Sequence, residues 1–266
     1  MSIEIPTLTL NVFGVKRKGD QKRFAAIAEA IEALPVRPDV CFFQEVIFQR
    51  QVRYLEEYLP NHRILWRRGR WGRYPLVAGG LAIAVPKEWP VNKDHTDFRP
   101  FTRQRLWTQI ITQVDWLLGK GALIVSVRLP GEVSIQLVCT HTVGAYNQSP
   151  KLIGLIQAQV DEALQFIDKS IAVLGADLNC TPNQIAIGRL QDALAGRTDC
   201  TILNRSNAFR QEKFARALGR GDNHPDKRID YLLARGGAWT DVQTCLEGGS
   251  KPLSDHSAIF GRFCIG

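Results

Sequence analysis

The sequence lacks several features that would place it in other protein classes. It has no CxxC pair, no internal repeat, no low-complexity tract and no linker. No apolar run approaches the roughly 18 residues of a membrane-spanning helix. The first residues, Met1 to Pro6, have neither the basic start nor the long apolar stretch of a secretion signal. We therefore expect a cytoplasmic protein without a transmembrane segment.

The six cysteines are scattered, at positions 41, 139, 180, 200, 245 and 264. Several of them lie inside apolar runs such as Val40-Cys41-Phe42-Phe43. This pattern predicts reduced, buried thiols and argues against a disulfide framework or a zinc site.

Acidic residues are outnumbered by basic ones, 26 to 34, which gives a formal net charge of +8. Such a surface attracts polyanions and anionic membranes. Many soluble proteins are basic without a specific reason, so the charge alone leaves both interpretations open. The 266 residues, 45% of them hydrophobic, can bury a large core, and composition leaves open whether they form one domain or two.

Short apolar runs predict strands, and a period of 3.6 residues predicts two amphipathic helices. The predicted helices span Lys22 to Leu34 and Leu152 to Ile167. The predicted strands are Thr7 to Phe13, Val40 to Gln44, Leu81 to Val85, Ala122 to Val127, Val133 to Thr140, Ile171 to Leu174 and Ile229 to Ala234. From Leu81 to Thr140 no helix interrupts the strands, so a regular alternation of strands and helices is excluded. The pattern favours a four-layer αββα sandwich, two packed mixed β-sheets flanked by helices.

Three segments place acidic or imidazole groups beside apolar runs, as buried strands do when they deliver side chains to the rim of a sheet. They are Val173 to Pro182, Arg228 to Leu233 and Leu253 to Ser257, and Gln44-Glu45 and Thr140-His141 lie upstream. In this order the segments resemble the endonuclease/exonuclease/phosphatase superfamily, which includes DNase I, abasic-site endonucleases, inositol polyphosphate phosphatases and neutral sphingomyelinases. The resemblance extends from about Thr9 to Phe263. It implies a single domain over residues 1–266 and a Mg²⁺-dependent hydrolase, with Mn²⁺ as a substitute.

The resemblance assigns three residues to the metal. Glu45 is similar to the metal-binding glutamate of the family, and Asn11 to the first-strand asparagine that helps to hold metal and phosphate. Asp255 is similar to a second carboxylate on the metal side. Taken alone, Glu45 reads as a solvated acid at a strand end, and Asn11 beside a glycine as a turn.

Five residues are candidates for catalysis: His141, Asp177, Asn179, Asp230 and His256. Asp177 and Asn179 alternate, so that both can face one pocket, although a turn would also select them. By resemblance, His141 and Asn179 contact the phosphate, and Asp177 or His256 activates the water. A carboxylate embedded at Asp230 is costly to bury alone, so we expect it to pair with His256. The sequence leaves open which of Asp177 and His256 removes the proton.

The segment from Trp66 to Tyr74 interleaves aromatic and cationic residues. It reads either as a solvated loop or as a surface that holds phosphates and stacks on bases or enters lipid headgroups. Its candidate substrate-binding residues are Arg68, Arg70, Trp71 and Arg73, and Asn147 joins them by resemblance. The basic segment from Asn204 to Asp226 is predicted to be a surface helix and a long loop.

In motif detail the chain looks most like the neutral sphingomyelinases, which cleave the phosphodiester of a phospholipid. The alternatives are a DNA or RNA nuclease of the DNase I type and a non-catalytic module that binds nucleic acid or membranes. We expect an anionic phosphodiester substrate, either a phospholipid headgroup or nucleic acid. A monomer in peripheral contact with a membrane would suit the lipid substrate.

Overall fold

The fold is built from two six-stranded sheets that pack face to face. The computed structural model describes residues 2–13, 19–68, 77–102, 120–144, 150–181, 200–203, 229–246 and 253–266. The strands are β1 (Ile3–Asn11), β2 (Val40–Phe48), β3 (His62–Arg68), β4 (Val77–Pro86), β5 (Val91–Pro100), β6 (Gly121–Arg128), β7 (Ser134–His141), β8 (Ala172–Asp177), β9 (Cys200–Leu203), β10 (Asp230–Arg235), β11 (Ala238–Cys245) and β12 (Ala258–Ile265). The described helices are α1 (Asp20–Glu32), α2 (Gln49–Tyr58) and α3 (Pro150–Gln165).

Both sheets are mixed. The first has the order β11-β12-β1-β2-β4-β3 and the second β5-β6-β7-β8-β10-β9. β1 and β2 are parallel with α1 between them in the chain, and β7 and β8 are parallel with α3 between them. The other strand pairs are antiparallel.

Three apolar layers hold the sandwich together. Alternate residues of the strands face the other sheet and are buried, among them Ile5, Phe42, Ile83, Val125, Leu137, Val173, Leu232 and Phe263. The opposite face of the first sheet packs on α1 and α2, and that of the second sheet on α3. Burying one such side chain contributes about 1.5–3 kcal/mol. The αββα sandwich predicted from the sequence is confirmed.

Several elements differ from the sequence prediction. Helix α1 begins and ends two residues earlier than predicted, as does α3. Helix α2 and five strands, β3, β5, β9, β11 and β12, had not been predicted. β2 also continues past Glu45 to Phe48, so the prediction that this strand ends at the glutamate is wrong. The apolar pattern of β2 extends to Phe48, and a register shift at Glu45 lets the strand continue past the glutamate.

None of the cysteine side chains that the structure describes forms a disulfide, and Cys41, Cys139 and Cys180 are buried. None of the helices in the described ranges is long and apolar enough to span a membrane.

Candidate active site

Three predicted site residues form one row at the end of the second sheet. In the strand register, His141 of β7 lies opposite Asp177 of β8, and Asp177 lies opposite Asp230 of β10. All three side chains are at least nine-tenths buried. Neighbouring strands are about 4.8 Å apart, so the row brings one imidazole and two carboxylates together.

The first sheet contributes Asn11, the last residue of β1, and Glu45 of β2. Glu45 has a positive φ of 60°, and the pairing of β2 with β4 shifts register between Gln44 and Val46. A bulge of this kind turns a side chain away from the direction that strict alternation would give it. It costs backbone strain of about 1–3 kcal/mol, which is typical of functional sites.

Asn11 connects the two sheets across the site. Its Nδ2 donates to Asp177 Oδ2 at 2.8 Å and to Glu45 Oε1 at 3.1 Å. Its Oδ1 accepts the backbone N–H of Phe13 at 2.9 Å, which fixes the orientation of the amide. Gln44, the residue before Glu45, makes two further buried hydrogen bonds: its Nε2 donates to Thr9 Oγ1 at 3.1 Å and to the carbonyl of Gly175 at 3.4 Å.

The segment before β12 supplies Asp255 and His256. His256 Nδ1 lies 2.8 Å from Asp230 Oδ2, the contact expected from the sequence. His256 Nε2 lies 3.8 Å from Asp177 Oδ2 and 3.9 Å from Asp255 Oδ1. Ser254 Oγ donates to the carbonyl of Asn11 at 2.6 Å, which ties this segment to the end of β1.

Asn179 forms the turn after β8. Its backbone φ is 50°, and its N–H donates to Asp177 Oδ1 at 2.9 Å. Its side-chain Nδ2 donates to the carbonyl of Thr142 at 3.2 Å. Asp177 therefore receives a neutral donor on each oxygen, from Asn179 on one and Asn11 on the other.

Burial raises the pKa of three carboxyl groups at the site. Burial, reinforced by the charge of Asp255, raises the pKa of Glu45 to about 7. Burial also raises the pKa of Asp255, although the positive charge of His256 opposes the shift. Burial and the charge of Asp230 raise the pKa of Asp177 to about 6. Carboxylates that repel one another in this way are the arrangement that a cation stabilises.

The two histidines differ in charge. Burial alone would lower the pKa of His256, but the charges of Asp230 and Asp255 outweigh it and raise that pKa well above its usual value. Burial, with the charges of Lys120 and His256, lowers the pKa of His141 well below its usual value. At neutral pH the site therefore holds one cationic and one neutral imidazole.

The donor set fits a hard divalent cation. The ligand atoms of Asp177, Asp230 and His256 lie within 4.8 Å of one another. Asp230 Oδ1 is buried and has no hydrogen-bond partner among the described residues. Because Asp230 Oδ2 already pairs with His256, we interpret Asp177, Asp230 and His256 as an acid–imidazole group and not as the metal ligands. Glu45 and Asp255 provide oxygen ligands of the kind that Mg²⁺ prefers. Asn11, predicted from the sequence on the metal side, faces Glu45 with Nδ2 while its Oδ1 accepts from Phe13, so in this arrangement it supports the Glu45 carboxylate by a hydrogen bond.

Lys120 is a site residue that the sequence analysis missed. It is 7% exposed, and its charge lowers the pKa of both His141 and Glu45. It directly precedes β6, the strand that pairs with β7. A single lysine before an apolar run carries no recognisable motif, so only the strand pairing shows that it lies near the site.

The predicted substrate-binding residues fall largely beyond the part of the chain that the structure describes. Arg70, Trp71, Arg73 and Asn147 lie outside the described residues, as does the segment from 204 to 228. Arg68 ends β3, and its side chain is not among those described. The structure thus brings the predicted metal and catalytic residues near one another. The roles assigned to them, like the predicted substrate-binding residues, stay predictions.

Solved structures share this fold. Sphingomyelinase C from Streptomyces griseocarneus is 17% identical with a TM-score of 0.71, over 98% of this chain and 99% of that one. Truncated TDP2 from Caenorhabditis elegans is 20% identical with a TM-score of 0.67, over 98% and 97% of the two chains. D. rerio TDP2, complexed with single-strand DNA product, is 16% identical with a TM-score of 0.67, over 98% of both chains.

No curated protein matches the sequence significantly. The model of the Endonuclease/Exonuclease/phosphatase family, in contrast, matches residues 8–256. That range contains all of the site residues, from Asn11 to His256. The chain therefore belongs to the Endonuclease/Exonuclease/phosphatase family, whose members are generally enzymes that hydrolyse phosphoester bonds.

Proposed function

We propose that this protein is a Mg²⁺-dependent phosphodiesterase that cleaves its substrate by direct attack of water. The observation that carries the proposal is the convergence of four carboxylates, Glu45, Asp177, Asp230 and Asp255, around one cationic and one neutral imidazole. Phosphoester cleavage needs oxygen ligands for a cation, a base for water and donors for the phosphoryl oxygens. The site provides each of them. A module that only bound its partner would not need this set.

Glu45 and Asp255, assisted by Asn11, are the residues that would hold the cation. When bound, Mg²⁺ polarises a phosphoryl oxygen and offsets negative charge in the transition state. The raised pKa of Glu45, about 7, supports this assignment, because burial and the charge of Asp255 outweigh the positive charges of His256 and Lys120 and leave negative charge that a cation would offset.

Asp177 is the residue that we assign as the base for water. With a pKa of about 6 it is ionised at neutral pH and still able to accept a proton. The donors Asn11 and Asn179 fix both of its oxygens, so its orientation does not depend on the substrate. His256 is a poor candidate for the base, because its raised pKa keeps it protonated.

His256 is instead suited to donate from Nε2 to a phosphoryl oxygen, while Asp230 holds Nδ1. An aspartate on the far nitrogen fixes the imidazole ring and stabilises its protonated form. Neutral His141, whose Nε2 lies 3.5 Å from Asp177 Oδ2, provides a second polar contact for the phosphate or the leaving group. Lys120 adds a buried positive charge near His141 and Glu45.

For the substrate we propose the phosphodiester of a phospholipid, as in sphingomyelinases. The motifs around Asn11, His141, Asp177 and Asp230 support it, as does the similarity in fold to sphingomyelinase C. The second candidate is DNA. The net charge of +8 favours it, and a structure of similar fold holds a single-strand DNA product.

One set of assays at matched Mg²⁺ concentration distinguishes the two candidate substrates. Sphingomyelin in mixed micelles, single-stranded DNA and plasmid DNA are each incubated with the wild-type protein and with His256→Ala. Phosphocholine release that requires His256 supports the lipid substrate. DNA cleavage with the same requirement, without phosphocholine release, would establish the nuclease instead.

A further inference from the structure

Arg23, in the first turn of α1, contacts two of the segments that carry the site. Its Nη1 donates to the carbonyl of Val12 and, at 3.2 Å, to that of Leu253. Its Nη2 donates to the carbonyl of Phe13 at 3.1 Å. Val12 and Phe13 directly follow Asn11, and Leu253 is two residues before Asp255. One guanidinium thus joins the end of β1 to Leu253, which lies 230 residues after Arg23 in the sequence.

Asp20 and Gln51 extend these contacts to β2, the strand that carries Glu45. Asp20 Oδ1 accepts from Arg23 at 2.9 Å, and Asp20 Oδ2 accepts from Gln51 Nε2 at 2.8 Å. Gln51 Oε1 in turn accepts the backbone N–H groups of Ile47 at 2.8 Å and Phe48 at 3.0 Å. Ile47 lies two residues beyond the bulged Glu45. Asp20, Arg23 and Gln51, here called the Arg23 network, therefore bond to the chain next to Asn11, Glu45 and Asp255.

The network is well buried. Asp20 is 5% exposed and Gln51 is fully buried, while the side chain of Arg23 is 13% exposed. A buried carboxylate is stable only when it is paired and hydrogen-bonded; here its hydrogen bonds come from the two other members of the network, and the more exposed Arg50 lies 3.7 Å from Asp20 Oδ2. Removing one member takes a hydrogen-bond partner from the next, so the three residues are expected to act as a unit.

We propose that the Arg23 network positions the cation-binding side of the site, by fixing Asn11, Glu45 and Asp255 relative to one another. The inference rests on the proposed function, since it assigns these three residues to Mg²⁺. None of the hydrogen bonds that Arg23 makes within the described ranges reaches the row of His141, Asp177 and Asp230. A change at Arg23 should therefore alter the affinity of the site for the cation. Supporting groups of this kind typically change metal affinity about 10–100-fold when they are altered.

Arg23→Lys is the informative change, because lysine keeps the charge and loses the planar fork that reaches several carbonyls at once. Asp20→Asn is a milder second variant that removes the charge between Arg23 and Gln51. Arg37→Gln is the matched control, since it removes an exposed ion pair with Glu32 at the other end of α1. Mg²⁺ and Mn²⁺ binding to the intact proteins are measured by calorimetry, and thermal unfolding is measured in EDTA.

We expect Arg23→Lys to weaken Mg²⁺ binding at least about tenfold, with a smaller loss in Asp20→Asn and wild-type affinity in Arg37→Gln. A role in folding alone would lower the melting temperature in EDTA and leave the affinity of the folded protein unchanged, which would overturn the inference. If Arg23→Lys fails to fold, the same comparison of Mg²⁺ affinity and melting temperature in Asp20→Asn tests the inference. Failure of the wild-type protein to bind either cation would instead contradict the proposed function and the inference with it.

Discussion

Asp230 Oδ2 lies 2.8 Å from His256 Nδ1, and this contact joins strand β10 of one sheet to the segment that enters β12 of the other. It leaves His256 Nε2 facing Asp177. The carboxylate therefore determines both the orientation and the charge of the imidazole.

Asp230→Asn should keep the fold but lower kcat at least about 100-fold, because an amide neither fixes the ring nor stabilises its cation. His256→Ala should remove the same function. The double variant should be little worse than the worse single one, since residues that act as a unit cannot be removed twice. Steady-state kinetics of the four proteins measure the coupling. Independent, additive losses would show that Asp230 serves another purpose.

The pKa of Asp177 predicts that kcat/KM falls at acidic pH. Its carboxylate acts when ionised, and its pKa is raised to about 6 by burial and by Asp230. kcat/KM should therefore rise with pH up to about 6 and then level, at a lower pH if a bound cation favours the ionised form. Asp177→Asn should lower the rate at every pH at which the wild type is active. A profile that instead falls as pH rises through this range would argue for a protonated Asp177 as the active form.

Gly175 is expected to be intolerant of a side chain. A Cβ at this position would lie 2.3 Å from Cγ of Phe42, which is fully buried between the sheets. Gly175→Ala should lower the free energy of unfolding by about 1–3 kcal/mol.

Gly154 provides the matched control for that change. It lies in helix α3 with no atom within 4 Å of an added Cβ, and Gly154→Ala should stabilise the protein by about 0.5–1 kcal/mol. Denaturant unfolding of both variants measures the difference. Equal effects at the two glycines would contradict the close packing of the sheets.

Asp39, which directly precedes β2, should make stability depend on pH. Burial and the charge of Glu88 raise its pKa to about 6 from an ordinary value of 3.8. The folded chain therefore binds this proton more tightly, and the stabilisation present at low pH is lost as pH rises to about 6. Asp39→Asn should thus raise the melting temperature more at about pH 7.5 than at about pH 4.5. The same increase at both values would show that Asp39 has an ordinary pKa.

Much of the fold could be predicted from the sequence because buried strands are continuous apolar runs. The four edge strands β3, β5, β9 and β11 were missed. An edge strand has one partner and an exposed side, so its sequence can be polar and irregular, as in Val91–Pro100. β12 was missed although it lies inside its sheet.

Within the site, motifs identified the acidic and imidazole residues, but their arrangement needed the structure. The positive φ of Glu45 depends on the pairing of β2 with β4, which a sequence does not state. Lys120 lies near His141, and Arg23 donates to the carbonyl of Leu253, 230 residues away; no local pattern reveals either relationship.

Hydrolysis of bis(p-nitrophenyl) phosphate tests the central claim, metal-dependent phosphodiester cleavage at this site, without assuming a natural substrate. The wild-type protein, Asp177→Asn and His256→Ala are each assayed in Mg²⁺ and in EDTA. We expect turnover by the wild type in Mg²⁺, its loss in EDTA, its return on adding Mg²⁺ or Mn²⁺, and at least about 100-fold slower turnover in both variants. Undiminished turnover in EDTA, or turnover by both variants at the wild-type rate, would contradict the account.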